Sequence, residues 1–375
     1  MESILHDIIM KFLHSNNLIS CSQFGFLKGR STTLQLLNML DTVTLNLDNK
    51  TPIDVVLLDF KKAFDTVPHE RLLHKLHYYG FRDPLLGWIR CFLTGRRQRV
   101  CINGEYSNWH NVVSGIPQGS VLGPLLFIIY INDLPLNISS YTYLFADDTK
   151  IFRPITSELD CILLQKDLDA LQNWSDKWLL QFHPDKCHVL TIGKSHIHFN
   201  YTLPNNKDGS RIILEHVNEA KDLGVLVDTH LNFESHIHTK VNKANSILGI
   251  IRRGYIHLDT EILVILYTAI VRPHLEFANT IWHPYLKKHI NSIESVQRRA
   301  TKLISSLKDL PYCERLQRLQ LPSLSFRRLR GDMIETYKIL HGVYDTKVCS
   351  FLNLHTNHIT RGNNLKLYLI RANTN

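Results

Sequence analysis

The chain has 375 residues, of which 44% are hydrophobic and 21% are charged, an ordinary composition for a folded protein. This length allows one large core or two to three modest ones. No run of about 18 uncharged apolar residues is present, so we expect no membrane span. The formal net charge of +9 suggests a polyanionic partner, although many unrelated proteins are also basic.

The cysteines and histidines show no pattern of a disulfide framework or a metal site. The seven cysteines are scattered and include no CxxC pair, which predicts free thiols in a reducing compartment. Among the 21 histidines, the pairs His236/His238 and His196/His198 lack matching partners along the chain. We therefore expect structural or surface histidines and no zinc.

The first 60 residues predict two helices and a buried strand. Apolar residues at helical spacing indicate a helix over residues 2–17, and Ser31 is a good N-cap for a second helix. Residues 53–60 form an apolar, β-branched run that contains Asp54 and ends around Asp59, as in a buried strand.

After this strand we expect Asp65 or Thr66 to cap a helix that has Pro68 in its first turn and stops at Gly80. The remaining expected elements, in chain order, are a helix over 85–93, a hairpin over 98–113 around Asn103-Gly104, a loop over 115–123, a helix to 130, a hairpin over 141–152, a helix over 157–180, and short strands at 189–192 and 223–227 that extend the sheet. From about residue 236 onward the pattern is entirely helical.

Three short motifs stand out within this order. They are DFKKAFD at 59–65 after the buried strand, GIPQGS at 115–120 in a loop, and FADD at 145–148 at a hairpin tip. Each alone has a plain structural interpretation, as a helix cap, a turn or a solvated acidic pair. Asp65 in particular is interpreted as a helix cap rather than as a metal ligand.

Together the motifs indicate two-metal phosphoryl transfer. This chemistry needs two divalent cations about 3.5–4 Å apart, one on the attacking oxygen and one on the leaving phosphate. Mg²⁺ prefers hard oxygen ligands and binds through few carboxylates plus substrate phosphates. Acidic residues at adjacent strand ends, Asp59 with Asp147 and Asp148, would supply that site. A cation between Asp147 and Asp148 would also relieve their repulsion.

The sequence resembles the reverse transcriptase of non-LTR (LINE-type) retrotransposons of the jockey kind. The resemblance covers almost the whole chain. Its motifs occur in the family's order: QFGFLKGRS at 23–31, DFKKAFDTV at 59–67, GIPQGSVLGPLLF at 115–127, FADD at 145–148, the segment 174–186, and Leu223-Gly224. The resemblance implies an RNA-directed DNA polymerase with an RNA template, a DNA primer and dNTPs as partners, and with two Mg²⁺ ions, or Mn²⁺ in their place, as cofactors.

The resemblance also implies roles for individual residues. The expected metal ligands are Asp59, Asp147, Asp148 and the carbonyl of Phe60. Lys186 matches a lysine thought to protonate the departing pyrophosphate, and Phe64 matches a sugar gate that excludes the ribose 2′-OH. The remaining matches are Lys28 and Arg30 on the triphosphate, Gln118 and Gly119 over the nucleotide and template, and Leu223-Gly224 as the primer grip. The basic helix with Lys240, Lys243, Arg252 and Arg253 is expected to contact duplex phosphates.

The implied fold class is α+β, a right-hand polymerase with fingers, palm and thumb. We expect partial fingers at 1–50, a palm with finger elements at 51–232 (a reverse transcriptase domain of about 1–230), a helical thumb at 233–345 and a C-terminal tail at 346–375. The chain begins inside the fingers and shows no endonuclease motif or Cys/His knuckle, which suggests an N-terminally truncated copy. Location in the nucleus or cytoplasm is expected from this function alone.

Two departures from the family pattern keep alternatives open. Leu27 stands where the family usually has arginine, and His183 stands where it favours asparagine. Leu27 removes an expected triphosphate contact, so one alternative is a weak or inactive retroelement remnant that binds nucleic acid. A viral RNA-dependent RNA polymerase would share the aspartates but would carry a polar group near the position of Phe64. The sequence does not indicate the oligomeric state.

Overall fold

The computed structural model describes residues 1–205, 209–255, 258–349, 352, 354 and 365–367. The chain divides into two compact units. The first contains residues 1–35 and 43–218, and the second contains residues 36–42 and the described residues from 219 onward. Most of the tail predicted at 346–375 lies outside the described residues.

The helices up to residue 218 are α1 (Glu2–Ser15), α2 (Thr32–Asp48), α3 (Ala63–Thr66), α4 (His69–Tyr78), α5 (Leu85–Leu93), α6 (Leu122–Ile131) and α7 (Glu158–Trp178). The strands up to the same point are β1 (Ile53–Leu58), β2 (Arg97–Gln98), β3 (Cys101–Ile102), β4 (Glu105–Tyr106), β5 (His110–Asn111), β6 (Tyr141–Phe145), β7 (Asp148–Pro154), β8 (His188–Ile192), β9 (Thr202–Pro204), β10 (Arg211–Ile213) and β11 (Glu215–His216).

A five-stranded sheet in the order β11-β8-β1-β7-β6 forms the centre of the first unit. Strand β1 lies in the middle and pairs antiparallel with both β7 and β8. Its apolar side chains are buried apart from Leu57, which is half-buried, as its β-branched composition predicts. The one acid within it, Asp54, is also buried and accepts hydrogen bonds from the Thr191 and Tyr201 hydroxyls, both at 2.7 Å. These two bonds offset the cost of burying the carboxylate.

The core of the first unit combines this sheet with α1, α4, α6 and α7. Helix α6 is buried around its whole circumference, which explains its nearly uniform apolar sequence. The hairpin formed by strands β2 to β5 is exposed. In it, β2 pairs with β5 and β3 pairs with β4. Asn103 and Gly104 both have positive φ at the tip, as the Asn-Gly signal predicts.

One predicted helix start is wrong. Neither Asp65 nor Thr66 caps the helix that ends at Tyr78, because both lie inside the separate short helix α3. Pro68 occupies the N-cap position of α4 instead of its first turn. A residue before proline avoids the helical region, and Val67 accordingly has a ψ of 116°, which separates the two helices.

The second unit contains β12 (Glu219–Asp222), β13 (Val225–Asp228), α8 (Glu234–Gly254), α9 (Thr260–Leu266), a π-helical turn (Tyr267–Val271), α10 (Arg272–Glu276), α11 (Asn279–Trp282), α12 (Lys287–Thr301), α13 (Tyr312–Arg318) and α14 (Leu324–Leu340). The predicted change to helical structure is confirmed. Among the described residues, none of these or the earlier helices has both the length and the apolar character needed to cross a bilayer.

The prediction that a strand at 223–227 extends the main sheet is wrong. β13 pairs only with β12, in a separate two-stranded sheet. Leu223 and Gly224 both have positive φ and form a two-residue turn between these strands. Such a turn pairs the two flanking segments with each other. The strand predicted at 189–192 does join the main sheet, as β8.

Candidate polymerase active site

Strand pairing brings the three predicted aspartates to one end of the central sheet. Leu58 of β1 lies opposite Thr149 of β7. One step further along the same antiparallel register, Asp59 falls opposite Asp148. Phe145 of β6 pairs with Asp148 of β7, so the turn between these strands consists of Ala146 and Asp147. Asp59 and Asp147, which are 88 residues apart in sequence, therefore lie at the same end of the sheet.

The local electrostatics agree with a short distance between the Asp59 and Asp147 carboxylates. Burial raises the pKa of Asp147, and the negative charge of Asp59 raises it further. Asp147 is half-buried, whereas Asp148 is exposed at the start of β7. The site therefore carries unfavourable negative charge that a bound cation would relieve.

The end of β1 also determines where Lys186 lies. Beyond the sheet, the Lys61 amide donates to Gln181 O and the His183 amide donates to Asp59 O, both at 2.8 Å. This pairing places the 3₁₀ turn Pro184–Lys186 beside the aspartates. Lys186 Nζ lies 3.3 Å from Asp59 Oδ2, although its side chain is 63% exposed.

The segment at 23–31 supports the aspartate turn from the other side. The Phe24 amide donates to Leu144 O at 2.7 Å, and the Leu144 amide donates to Ser22 O at 2.8 Å. Gln23 is fully buried, and its Oε1 accepts from the Ala146 amide at 3.0 Å and from the Gly25 amide at 2.8 Å. A Cβ on Gly25 would lie 2.5 Å from the Ala146 nitrogen, so only glycine allows this close approach.

In the same segment, the predicted phosphate contacts differ in their surroundings. The Arg30 guanidinium donates to three backbone carbonyls, those of Ser20 at 3.0 Å, Cys21 at 3.3 Å and Gln23 at 2.5 Å. Arg30 therefore holds the loop together in this structure. Lys28 is exposed, and Leu27, which replaces the family's arginine, is buried.

The predicted sugar gate, Phe64, lies where the DFKKAFD motif meets the GIPQGS loop. The Phe64 ring is half-buried and stacks on Phe127 with ring centroids 4.3 Å apart. Phe64 O accepts from the Ile116 amide at 2.8 Å, which ties the motif to the loop. Gln118 Nε2 donates to Asp65 Oδ1 at 2.9 Å. Asp65 therefore positions Gln118 rather than capping a helix.

The nucleic-acid contacts predicted near the C-terminus belong to the second unit. Leu223 and Gly224 form the β12–β13 turn described above. On α8, burial and the charge of Lys221 lower the pKa of Lys240, so these two ammonium groups lie near each other. Lys243 is exposed nearby, and Arg252 and Arg253 are exposed in the last turn of α8. Lys221, which lies on β12, extends this basic region and was not predicted.

A family model described as reverse transcriptase (RNA-dependent DNA polymerase) matches residues 1–227, which is more than half of the chain. The chain belongs to the reverse transcriptase family. This membership confirms the predicted α+β right-hand polymerase fold class.

Two relatives confirm the resemblance to jockey-type elements. The RNA-directed DNA polymerase from mobile element jockey of Drosophila funebris is 30% identical over 322 residues, covering 81% of this chain and 34% of the relative. The probable RNA-directed DNA polymerase from transposon X-element of Drosophila melanogaster is 28% identical over a stretch of the same length, with the same coverage. The chain therefore spans about a third of the length of these relatives.

Among solved structures, apo telomerase from Candida tropicalis is 10% identical, with a TM-score of 0.46. The match covers 92% of this chain and 55% of the telomerase chain. This similarity is too low to support a conclusion about function.

Reverse transcriptases generally use divalent metal ions, and the residues at this edge fit such ions. Asp59, Asp147 and Asp148 provide hard carboxylate oxygens, and the chain at Phe60 adds a backbone carbonyl. The Lys186 ammonium, 3.3 Å from Asp59 Oδ2, shows that a cation is accommodated beside this carboxylate. The raised pKa of Asp147 indicates the same deficit of positive charge.

Sequence reasoning missed two features of this reverse transcriptase. The sequence predicts no role for Gln23, because its hydrogen-bond partner Ala146 lies 123 residues away. The expectation that His238 lacks a matching partner was wrong, since it lies close to Glu234 and His289. Its neighbour His236 is a buried structural residue whose Nδ1 accepts from the Leu226 amide at 3.0 Å.

Proposed function

We propose that this chain is an RNA-directed DNA polymerase that extends a primer with dNTPs by two-metal phosphoryl transfer. The observation that carries the proposal is the β1–β7 register, which aligns Asp59 with Asp148 beside Asp147 at one sheet end. Membership in the reverse transcriptase family gives this acidic edge its chemical meaning.

We assign Asp59, Asp147, Asp148 and the Phe60 carbonyl as ligands for two Mg²⁺ ions, with Mn²⁺ as a substitute. When bound, these ions supply Lewis-acid stabilisation of the attacking and leaving oxygens. The protein holds the ligands on paired strands, so the carboxylates are positioned before substrate binds. Half-burial of Asp147 makes its carboxylate poorly solvated and therefore a stronger partner for a cation.

Lys186 is proposed to hold a proton near the departing pyrophosphate. Its ammonium lies next to Asp59 in this structure and retains exposure on its other side. Because the lysine stem is long and flexible, Nζ can turn from Asp59 toward a phosphate oxygen. General acid assistance of this kind contributes about 10²–10⁴-fold.

Nucleotide selection is assigned to Phe64, Gln118 and Gly119, with Lys28 and Arg30 near the triphosphate. Stacking on Phe127 fixes the Phe64 ring, as a steric gate against the ribose 2′-OH requires. The Asp65 contact holds Gln118, and Gly119 follows at a φ of 85°. Of the two basic residues, exposed Lys28 is the better supported phosphate contact, since Arg30 already donates to three carbonyls.

In the second unit, the Leu223-Gly224 turn and the basic residues of α8 are proposed to contact primer and template. Lys240 and Lys243, together with Lys221, concentrate positive charge on one region, and Arg252 and Arg253 add charge at the helix end. Such a region binds phosphates without base specificity, and its affinity falls as salt rises.

The alternative is a weak or inactive retroelement remnant that still binds nucleic acid. Leu27 favours it, because a buried leucine replaces a side chain able to contact the triphosphate. The presence of all three acids, Asp59, Asp147 and Asp148, favours an enzyme.

Primer extension on poly(rA)/oligo(dT) with Mg²⁺ and dTTP separates these two functions. We expect extension by the wild-type chain and none by Asp147→Ala, with Asp309→Asn, an exposed aspartate of the second unit, as the matched control. Binding of the same duplex is measured in parallel by fluorescence anisotropy. Tight binding without extension supports the remnant, and equal extension by Asp147→Ala contradicts the proposed active site.

A further inference from the structure

A cluster of metal-ligand side chains lies in the second unit and contains none of the residues assigned above. It consists of Glu234 and His238 on α8 and His289 in the first turn of α12. Their ligand atoms all lie within 4.8 Å of one another. Glu234 Oε1 is 3.6 Å from His238 Nε2 and 3.9 Å from His289 Nε2. In the part of the chain that the structure describes, it is the one such group of three.

The positions of these residues follow from helix geometry and helix packing. Glu234 and His238 are four residues apart, so they lie on the same face of α8, one turn above the other. Helices α8 and α12 pack against each other, which brings His289 to that face. The His238 and His289 rings are 6.0 Å apart and nearly perpendicular, at 87°.

We propose that Glu234, His238 and His289 form a zinc site that joins α8 to α12. Two imidazoles and one carboxylate are a common zinc ligand set, and imidazole favours Zn²⁺ over Mg²⁺. Around a tetrahedral ion with bonds of about 2.1 Å, ligand atoms lie about 3.4 Å apart. The observed 3.6 and 3.9 Å separations from Glu234 Oε1 need only small side-chain adjustments.

The surroundings of the ligands suit cation binding. His289 is buried, which limits its rotamers. The His238 side chain is more than half exposed and the Glu234 side chain is half exposed, so an ion can reach the site from solvent. Burial lowers the pKa of His289, which favours the neutral imidazole that a metal ion binds.

Lys288 is the competitor for this site. Its Nζ lies 2.8 Å from Glu234 Oε1 and neutralises the carboxylate in the metal-free protein. The Lys288 side chain is 60% exposed, so its ion pair is weak and the ammonium can turn into solvent. Zinc binding therefore exchanges one cation for another, and loss of the lysine should tighten it.

The test uses the untagged full chain after treatment with EDTA and dialysis. Co²⁺ is titrated as a spectroscopic probe of the site, and zinc content is measured by mass spectrometry after equilibration with about micromolar Zn²⁺ and dialysis. We expect one equivalent of zinc, a visible Co²⁺ absorption band that Zn²⁺ abolishes, and a Zn²⁺-dependent rise in Tm.

Five variants define the expected pattern. His238→Ala and Glu234→Gln, both at exposed positions, should weaken zinc binding by at least about tenfold. Lys288→Met should tighten it, and His230→Ala, which removes another exposed histidine of this unit, should leave it unchanged. Asp147→Asn should also retain the zinc, which separates this site from the proposed polymerase centre.

Three results would overturn the proposal. The first is an absence of bound zinc in the folded wild-type chain, with folding verified by circular dichroism. The second is an equal loss in His230→Ala and His238→Ala, which indicates adventitious binding by surface histidines. The third is weaker binding in Lys288→Met, because a competing cation cannot also be a helper.

Discussion

Gln23 Oε1 accepts a hydrogen bond from the backbone amide of Ala146, the residue directly before Asp147. The same oxygen accepts from the Gly25 amide, so one buried amide group joins the loop at 23–31 to the aspartate turn. Ala146 has a φ of 56°, a conformation that alanine rarely adopts. Gln23 therefore acts as a positioning residue for the turn that carries Asp147.

Replacement of Gln23 by methionine should damage both stability and metal use. The change keeps the side-chain length but leaves two buried amides without an acceptor, at a cost of about 1–3 kcal/mol each. A displaced Asp147 should also raise the Mg²⁺ concentration needed for half-maximal primer extension. Urea unfolding and a Mg²⁺ titration of activity measure the two effects.

The matched control for this change is Gln35→Met, at a second buried glutamine. It should leave the Mg²⁺ dependence unchanged whatever its effect on stability. An unchanged Mg²⁺ requirement in Gln23→Met would show that Gln23 has a structural role only.

Asp147→Asn should remove activity while stabilising the metal-free fold. The pKa of Asp147 is raised by burial and by Asp59, so ionisation of Asp147 costs more in the folded than in the unfolded state. Stability of the wild type therefore falls as pH rises from the unfolded value of 3.8 through the raised folded value. The amide avoids this cost. In EDTA at pH 7 the variant should have the higher Tm, and the difference should vanish below the unfolded pKa.

In activity, the same variant should lose roughly 10³-fold or more, because a metal ion supplies several kcal/mol to catalysis and each 1.36 kcal/mol is tenfold. Mg²⁺ should raise the Tm of the wild type and not that of the variant. A lower Tm for Asp147→Asn in EDTA would contradict the electrostatic interpretation.

Lys186→Met should slow the chemical step by about 10²-fold, the lower range of general acid catalysis. The side chain is exposed except near Asp59, so the fold should be unaffected. Single-turnover dNTP incorporation measures the chemical step without product release. Lys194→Met, at another exposed lysine, is the control. Equal rates for both variants would indicate that Lys186 is a surface residue.

Phe64→Val should relax discrimination against rNTPs by about 10- to 200-fold, the range for a change in a steric pocket. The smaller side chain opens space where the ring stacks on Phe127. Phe64→Tyr keeps the ring and should keep the discrimination. The ratio of kcat/KM for dTTP and UTP measures this selectivity. No gain in UTP use by Phe64→Val would favour an RNA polymerase or a purely packing role.

Gly115→Ala should destabilise the protein more than Gly104→Ala, although the two glycines have similar φ values of 87° and 90°. A left-handed alanine costs about 1–2 kcal/mol at either position. At Gly115 the new Cβ would also lie 2.7 Å from Asp65 O, whereas at Gly104 nothing lies within 4 Å. The clash should add about 1–3 kcal/mol. Urea unfolding midpoints measure the difference, and equal midpoints would show that the loop moves away freely.

The sequence by itself determined the features that depend on neighbouring residues. Ser31 caps α2 through a hydrogen bond from the Leu34 amide, as its position before an apolar helical pattern indicates. The Asn103-Gly104 turn and the hairpin around Asp147 follow equally from local turn chemistry and alternation. The motifs also identified the family, because their residues and their order along the chain can be read without the structure.

Only the tertiary structure decided which distant residues meet. The sequence predicts Asp65 as a helix cap, whereas in the structure its carboxylate accepts a hydrogen bond from Gln118 of the loop at 115–120. Similarly, β13 pairs with β12 because the Leu223-Gly224 turn satisfies its backbone locally. His238 lies near His289, which is 51 residues later on another helix, and Gln23 accepts a hydrogen bond from the amide of Ala146, 123 residues later. Hydrogen bonds and ligand clusters depend on distances of a few ångströms, which strand register and helix packing set and which local sequence patterns do not specify.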